Sequence, residues 1–199
     1  MDESSKTLSG NEWEVISRDV HFQNEHVSLV TEEIRTPTRR VPRKWIIAHR
    51  KRAVVIAPMT AEGKIILIQQ ERLPIQSAIW EVPAGQIDVP THDFGAIKSI
   101  ALRELQEETG FELAEGGELL PLGHYFTSPG FTDERGYFFL ARPVRPSPEG
   151  HAHDELESIL DCRAFSPDVL LEMIANNEIR DANTLSICAR LMARGILRK

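Results

Sequence analysis

The chain has 199 residues, of which 41% are apolar, so we expect one main domain with at most a small accessory layer. A formal charge of −7 at pH 7 and the absence of a basic stripe argue against a nucleic-acid partner, because basic side chains are needed to neutralise its phosphates. No apolar stretch fits a signal peptide or a membrane span, so we expect no membrane partner. The two cysteines, Cys162 and Cys188, form no CxxC pair, and a reducing compartment is the simpler interpretation. We therefore predict a cytoplasmic protein.

The first part of the chain is predicted to form a small antiparallel sheet. Short β-like runs, separated by polar or proline-containing turns, follow a polar lead and cover residues 13–20, 26–34 and 44–47. We assign residues 1–50 to this region and residues 51–199 to the main domain.

The main domain begins with strand-like runs and then changes its period. Apolar runs around Gly63 predict a hairpin, and a short strand is expected at residues 80–82. A helix is predicted at residues 96–109, with Gly110 as its stop and either Asp93 or Thr91 as its N-cap. Later runs predict strands at residues 119–126, 136–141 and 159–165, and helices at residues 166–176 and 182–193.

Three glutamates stand on one side of the first predicted helix. Glu104, Glu107 and Glu108 are at positions i, i+3 and i+4, and such like charges weaken a helix by roughly several tenths of a kcal/mol per pair. A hard divalent cation such as Mg²⁺ would neutralise them and would let an acidic protein bind an anionic pyrophosphate. A solvated acidic face explains the same residues, and an Arg103–Glu107 pair suits either interpretation.

Residues 85–111 resemble the Nudix box, the signature of hydrolases that act on nucleoside diphosphates linked to another moiety. The second half, residues 103–111, matches the family pattern completely. The first half departs from it, because the spacing from Gly85 to Arg103 is four residues longer and Gly95 stands where the first glutamate belongs. Asp88 and Asp93 are both candidates to replace that carboxylate.

Two further segments, residues 69–74 and 80–88, resemble the ADP-ribose pyrophosphatase branch of this family and its nucleotide-sugar relatives. The resemblance implies an α/β Nudix fold, in which a mixed β-sheet is sandwiched between helices and a small N-terminal antiparallel β-sheet domain pairs two subunits into a homodimer. It also implies hydrolysis of a nucleoside diphosphate sugar with two or three Mg²⁺ or Mn²⁺ ions, and ADP-ribose is the first expected substrate. Alternatives are GDP-mannose, UDP-glucose or a dinucleotide as substrate, or a Nudix-like regulatory module without catalysis.

The resemblance also assigns roles to individual positions. Expected metal ligands are Glu104, Glu108, Glu107 and the carbonyl of Ala84. The expected proton acceptor is Glu157, with Glu155 as the second choice, and Glu107 and Arg103 complete the catalytic set. Residues expected to face the substrate are Arg52, Arg72, Glu81, Glu134 and Trp45.

Several of these assignments keep a structural alternative. Glu81 binds metal or holds its loop in place, or it is a surface strand residue. Glu134 belongs to a Ser-Pro-Gly loop that approaches substrate in the branch, or it is one of two solvated acids after a Pro-Gly turn. Trp45 stacks on a base, or it packs in the core or at a subunit interface. Glu155 and Glu157 also fit solvent-facing loop acids.

Overall fold

The structure is a computed structural model that describes residues 13–89, 93–151 and 158–198. The described chain forms two compact units. The first contains the residues up to Lys51 together with Ser128–Glu134, and the second contains Arg52–Thr127 and the residues from Arg135 onward. The loop Ser128–Glu134 therefore belongs with the N-terminal sheet, although the sequence placed it in the main domain.

The first unit is a three-stranded antiparallel sheet in the order β1-β2-β3. Its strands are β1 (Glu14–Gln23), β2 (Val27–Thr36) and β3 (Arg39–Arg50). Strand β3 is longer than the apolar run predicted at residues 44–47, because the backbone ladder with β2 continues through polar positions on either side of it, such as Arg43, which lies opposite Ile34, and His49, which lies opposite Ser28. Backbone pairing thus extends the strand where side-chain periodicity stops.

The second unit contains a mixed sheet, as predicted, and this sheet has seven strands. The central order is β10-β5-β4-β9-β8, with β6 paired to β5 and β7 paired to β4. Strands β4 and β9 are parallel, and the other pairs are antiparallel. The strands are β4 (Ala53–Thr60), β5 (Ile65–Arg72), β6 (Ser77–Glu81), β7 (Ala84–Gln86), β8 (Phe111–Phe126), β9 (Arg135–Pro146) and β10 (Ile159–Phe165).

Helices cover both faces of this sheet, which confirms the predicted sandwich. The helices are α1 (Phe94–Thr109), α2 (Pro167–Ala175) and α3 (Ala182–Ala193). Helix α1 buries Ile97, Ala101 and Leu105 with alternate residues of β4 and β5. Helices α2 and α3 bury Leu170, Ile187 and Leu191 with the opposite residues of the same strands. In the described part of the chain, no helix is both long enough and apolar enough to cross a bilayer.

Two strand boundaries differ from the sequence prediction. Strand β8 begins at Phe111, directly after α1, because Phe111 already pairs with Pro146 of β9. A register shift between Leu113 and Glu118, with Gly116 at a φ of 72°, interrupts the alternation there, so the sequence showed only the later part. The strand predicted at residues 80–82 ends at Glu81 as part of β6, and Ala84–Gln86 form the further short strand β7.

Candidate active site

Helix α1 is held at both ends by its caps. The side chain of Asp93 accepts hydrogen bonds from the N–H groups of Gly95 at 3.0 Å and Ala96 at 3.3 Å, so Asp93 rather than Thr91 is the N-cap. Gly110 ends the helix with a φ of 70°, a conformation that favours glycine. Asp93, one candidate for the missing carboxylate of the box, therefore serves the helix backbone.

The glutamates of α1 differ in burial. Because the apolar stripe of α1 faces the sheet, Glu104 and Glu108 are drawn under the surface, and they are only 6% and 1% exposed. Glu107, one position away, keeps an intermediate exposure. Burying two carboxylates is costly unless hydrogen bonds or charges compensate, so their partners identify the chemistry of this place.

The backbone of β7 lies directly against these two carboxylates. The N–H of Ala84 donates to Oε2 of Glu108 at 2.9 Å. A Cβ atom at Gly85 would lie 2.0 Å from Cδ of Glu104, so only glycine lets the backbone approach this carboxylate so closely. Glu108 therefore contacts Ala84, and Glu104 lies against the next residue of the same strand, Gly85.

Arg103 compensates the charge of the glutamates from the solvent side. Its Nη2 donates to Oε1 of Glu104 at 2.6 Å, and its Nη1 donates to Glu107. The sequence predicted the contact with Glu107 and missed the one with Glu104, because neighbouring residues on a helix do not usually face each other. One arginine thus bridges two of the three carboxylates.

The donors assembled here fit a hard divalent cation. They are carboxylate oxygens of Glu104 and Glu108 beside the bare backbone of Gly85, and Mg²⁺ is usually bound by one or two carboxylates while it keeps several waters. Within the described ranges, no three His, Cys, Asp or Glu side chains converge to enclose a metal ion by themselves. Two carboxylates of this kind suit an ion that keeps several waters or shares the oxygens of a ligand.

Arg72 and Glu81 form a partly buried ion pair next to this region. Nε and Nη2 of Arg72 each donate to a different oxygen of Glu81 at 2.8 Å, which is a bidentate geometry. The Glu81 side chain is 3% exposed and that of Arg72 is 41% exposed. Burial raises the pKa of Glu81, and the contact with Arg72 offsets part of that rise. Burial alone would lower the pKa of Arg72, but hydrogen bonds and charge from Glu81, with the charges of Glu108 and Asp181, raise it.

Arg52 contacts an aromatic side chain of the same unit. Its Nη1 donates to the hydroxyl of Tyr137 at 3.4 Å. Burial alone would raise the pKa of Tyr137, but hydrogen bonds from Arg52 and Arg135 bring it below its ordinary value. Both arginines are thus gathered at one phenol oxygen.

Two of the expected substrate residues belong to the first unit. Nε1 of Trp45 donates to the carbonyl of Gly130 at 2.9 Å, and Arg50 donates to Oε2 of Glu134 at 3.2 Å. These contacts tie the loop Ser128–Glu134 to the three-stranded sheet. The two candidate proton acceptors, Glu155 and Glu157, lie outside the described residues.

The first turn of α3 contains a contact that the sequence does not indicate. The hydroxyl of Thr184 accepts a hydrogen bond from the N–H of Val82 at 3.0 Å and donates to Oδ2 of Asp181 at 2.8 Å. The sequence pattern Asp-Ala-Asn-Thr signals a helix N-cap, and Asp181 is indeed the cap. Nothing local in the sequence indicates that the same threonine reaches the segment before β7.

Comparison with known proteins places this geometry in a family. The NUDIX domain model matches residues 49–186. The chain is 30% identical to an ADP-ribose pyrophosphatase of Bacillus subtilis (strain 168) over 87% of this chain and 89% of the relative. It is 29% identical to a methanol dehydrogenase activator of Bacillus methanolicus over 87% of this chain and 89% of that protein. A solved structure described as an ADP compounds hydrolase shares the fold, with a TM-score of 0.74, 18% identity, and coverage of 93% of this chain and 97% of that one.

The chain belongs to the Nudix family, and it is a Nudix hydrolase. The family match covers the seven-stranded sheet and α1, where the carboxylates lie. Nudix hydrolases generally use divalent metals such as Mg²⁺, in agreement with the oxygen donors found beside Gly85.

Proposed function

We propose that the chain hydrolyses the pyrophosphate of ADP-ribose to give AMP and ribose 5-phosphate. The proposal is supported by membership of the Nudix family and by similarity to the Bacillus subtilis ADP-ribose pyrophosphatase along most of both chains. The observation that carries it is the pair of buried carboxylates, Glu104 and Glu108, in contact with the backbone of Ala84 and Gly85.

In this proposal, two or three Mg²⁺ or Mn²⁺ ions are held by Glu104, Glu108, Glu107 and the carbonyl of Ala84. When bound, such ions polarise the pyrophosphate oxygens and make a nearby water more acidic. The chain itself supplies rigidity: the N–H of Ala84 fixes one oxygen of Glu108, and Arg103 fixes Glu104 and Glu107. Ligands that are oriented before binding reduce the entropy cost of binding.

Arg72 and Arg52 are the positively charged side chains that we expect to face the phosphates of the substrate. Glu81 holds the guanidinium of Arg72 in a fork, so Arg72 loses little side-chain freedom when it binds a phosphate oxygen. We also assign substrate-binding roles to Trp45, which would stack on a base, and to Glu134, which would approach the ribose or the phosphates, as the branch resemblance implies. The proton acceptor in this proposal is Glu157 or Glu155.

The reaction forms one bond and breaks one bond. A water oxygen attacks one phosphorus, and the bridging P–O bond breaks, so that one phosphate leaves with AMP and the other stays on ribose. The attacking water gives its proton to a carboxylate, which is Glu157 or Glu155 in this proposal. The products are two phosphomonoesters.

A substrate panel tests this proposal directly. The purified chain is incubated in excess Mg²⁺ with ADP-ribose, GDP-mannose, UDP-glucose and a dinucleotide, and the products are separated by chromatography. We expect kcat/KM for ADP-ribose to exceed the others by roughly tenfold or more, with AMP and ribose 5-phosphate in equal amounts. A higher value for GDP-mannose or UDP-glucose would reject ADP-ribose as the preferred substrate.

Similarity to the methanol dehydrogenase activator supports a second candidate, a regulatory role towards a dehydrogenase. The same panel separates the two candidates. Binding of ADP-ribose without product formation in excess Mg²⁺ would favour the regulatory role, whereas multiple turnovers favour the hydrolase.

We also propose that the protein is a cytoplasmic homodimer assembled through the three-stranded sheet. Every described side chain of β1 is exposed, and Val20 and Phe22 are 55% and 53% exposed, which leaves apolar surface for a second copy.

Both cysteines are free thiols, which agrees with a reducing compartment. Burial raises the pKa of Cys162 to about 11 and that of Cys188 to about 12.

A further inference from the structure

The segment from Val82 to Ala84 is fixed by three different elements of the second unit. The N–H of Val82 donates to Thr184 of α3, the carbonyl of Pro83 accepts from the N–H of Ile56 in β4, and the N–H of Ala84 donates to Glu108 of α1. Proline has no N–H, so the donors on either side of it are the ones that set the path of the segment.

The hydroxyl oxygen of Thr184 is held in a fixed orientation as a hydrogen-bond acceptor. The residue is 0% exposed, and Val82 is 1% exposed, so water does not compete for the N–H of Val82. The hydroxyl proton of Thr184 is donated to Oδ2 of Asp181 at 2.8 Å, which turns an oxygen lone pair towards Val82. The same carboxylate oxygen accepts the N–H of Thr184 at 2.7 Å as the helix cap.

We infer that Thr184, oriented by Asp181, is a positioning residue for the cation site formed by Ala84, Glu104 and Glu108. The inference rests on the proposed function, because it takes the carbonyl of Ala84 as a ligand. Removing a residue that orients a metal ligand typically lowers metal affinity or activity by about 10–100-fold. Thr184 acts at two residues' distance from Ala84 through the backbone, so we expect the lower end of that range.

Two substitutions at position 184 separate this role from packing. Thr184→Val keeps the shape but removes the acceptor, and it should weaken the binding of Mn²⁺ to the substrate-free protein by roughly tenfold, measured by electron paramagnetic resonance. Thr184→Ser keeps the hydroxyl and loses only a methyl group, so its Mn²⁺ affinity should stay within about twofold of the wild type.

Tyr125→Phe is the matched control for the docking of α3. The hydroxyl of Tyr125 donates to Oδ1 of Asn183, one residue before Thr184, so its removal loosens the same helix turn without touching Val82. We expect Tyr125→Phe to lower the free energy of unfolding but to leave Mn²⁺ affinity unchanged. Should Thr184→Val fail to fold, Thr184→Ala takes its place with the same expected loss of Mn²⁺ affinity.

The outcomes are distinct. Wild-type Mn²⁺ affinity in Thr184→Val, or an equal loss in Tyr125→Phe, would overturn the positioning role. Weakened binding in Thr184→Val with rescue by Thr184→Ser supports it. A wild type that binds Mn²⁺ but leaves ADP-ribose intact would refute the proposed substrate only, because the role of Thr184 is read from cation binding rather than from turnover.

Discussion

The seven-stranded sheet and the three-stranded sheet bury their apolar side chains in different ways. Strands β4 and β5 are buried on both faces, with α1 on one face and α2 and α3 on the other. Strand β1, in contrast, is exposed along its whole described length. A sheet covered by its own helices needs no partner, whereas exposed apolar side chains on an edge strand favour association with another chain.

The two regions also differ in where their buried carboxylates lie. In the second unit, the buried carboxylates Glu108 and Glu81 are paired with Ala84 and Arg72 around the candidate site. In the first unit, the buried carboxylate of Glu32 is paired with Arg18 within the three-stranded sheet, and pairs such as Arg35 with Glu14 lie at the surface, where ion pairs contribute little stability. We therefore expect substitutions in the second unit to change cation binding and turnover, and substitutions in the first unit to change assembly.

The largest effect is expected from Glu108→Gln. Glutamine keeps an oxygen that can accept the N–H of Ala84, so the segment stays in place while the negative charge is lost. Turnover in Mg²⁺ should fall by roughly 10²–10³-fold, with the free energy of unfolding and the oligomeric state unchanged. Steady-state kinetics, urea unfolding and sedimentation measure these quantities. Wild-type turnover in a folded Glu108→Gln protein would show that Glu108 has no role in catalysis.

A slightly smaller effect is expected from Gly85→Ala. The added Cβ would lie 2.0 Å from Cδ of Glu104, and the end of that flexible side chain must move. Misplacing a catalytic group by about 1 Å costs on the order of 10²-fold in rate, whereas stability should change by at most about 1 kcal/mol.

Gly95→Ala is the control for this substitution. A Cβ there meets only the carboxylate of Asp93 at 3.5 Å, which is an ordinary contact. Kinetics and urea unfolding of both variants should therefore separate them. Equal turnover in Gly85→Ala and Gly95→Ala would show that the close approach of Gly85 to Glu104 has no catalytic role.

The sequence predicted the fold well where periodicity or a turn residue dominated. The helix ending at Gly110 and the hairpin around Gly63 lie where they were expected, and both glycines have positive φ angles. The ends of β3 and the start of β8 were wrong, because pairing with a neighbouring strand extends both of them through polar or glycine-containing stretches. Long-range backbone pairing leaves no local pattern in the sequence.

The candidate site was predictable only in part. Helical spacing placed Glu104, Glu107 and Glu108 on one side of α1, but it did not show that two of them are buried against β7. The contact between Thr184 and Val82 joins residues 102 positions apart, so no motif reveals it. Contacts that depend on how helices dock on the sheet are determined by tertiary structure.

A pH-dependent effect on stability is expected from Arg72→Ala. Arg72 lowers the pKa of Glu81, so its removal lets burial raise that pKa further. A carboxyl group with a raised pKa in the folded state destabilises the protein as the pH rises from the unfolded value through the folded value. The loss in unfolding free energy relative to the wild type should therefore be small near pH 4 and grow to about 1–3 kcal/mol at pH 8.

The double variant Arg72→Ala/Glu81→Gln sharpens this prediction. Glutamine removes the buried charge that Arg72→Ala leaves without its partner, so the extra pH-dependent loss should disappear. Urea unfolding between pH 4 and pH 8 measures all the proteins. A pH-independent difference between Arg72→Ala and the wild type would mean that Glu81 stays neutral in both.

The smallest expected effect concerns the three-stranded sheet. Phe22→Ser removes an apolar side chain that is 53% exposed on β1, and it should raise the dissociation constant of the proposed homodimer by roughly tenfold, measured by sedimentation. Leu73→Ser is the matched control, because Leu73 is 84% exposed in the second unit and should not change assembly. If Phe22→Ser instead weakens Mn²⁺ binding and leaves assembly unchanged, the first unit affects cation binding. The expectation that substitutions in the first unit change assembly alone would then be wrong.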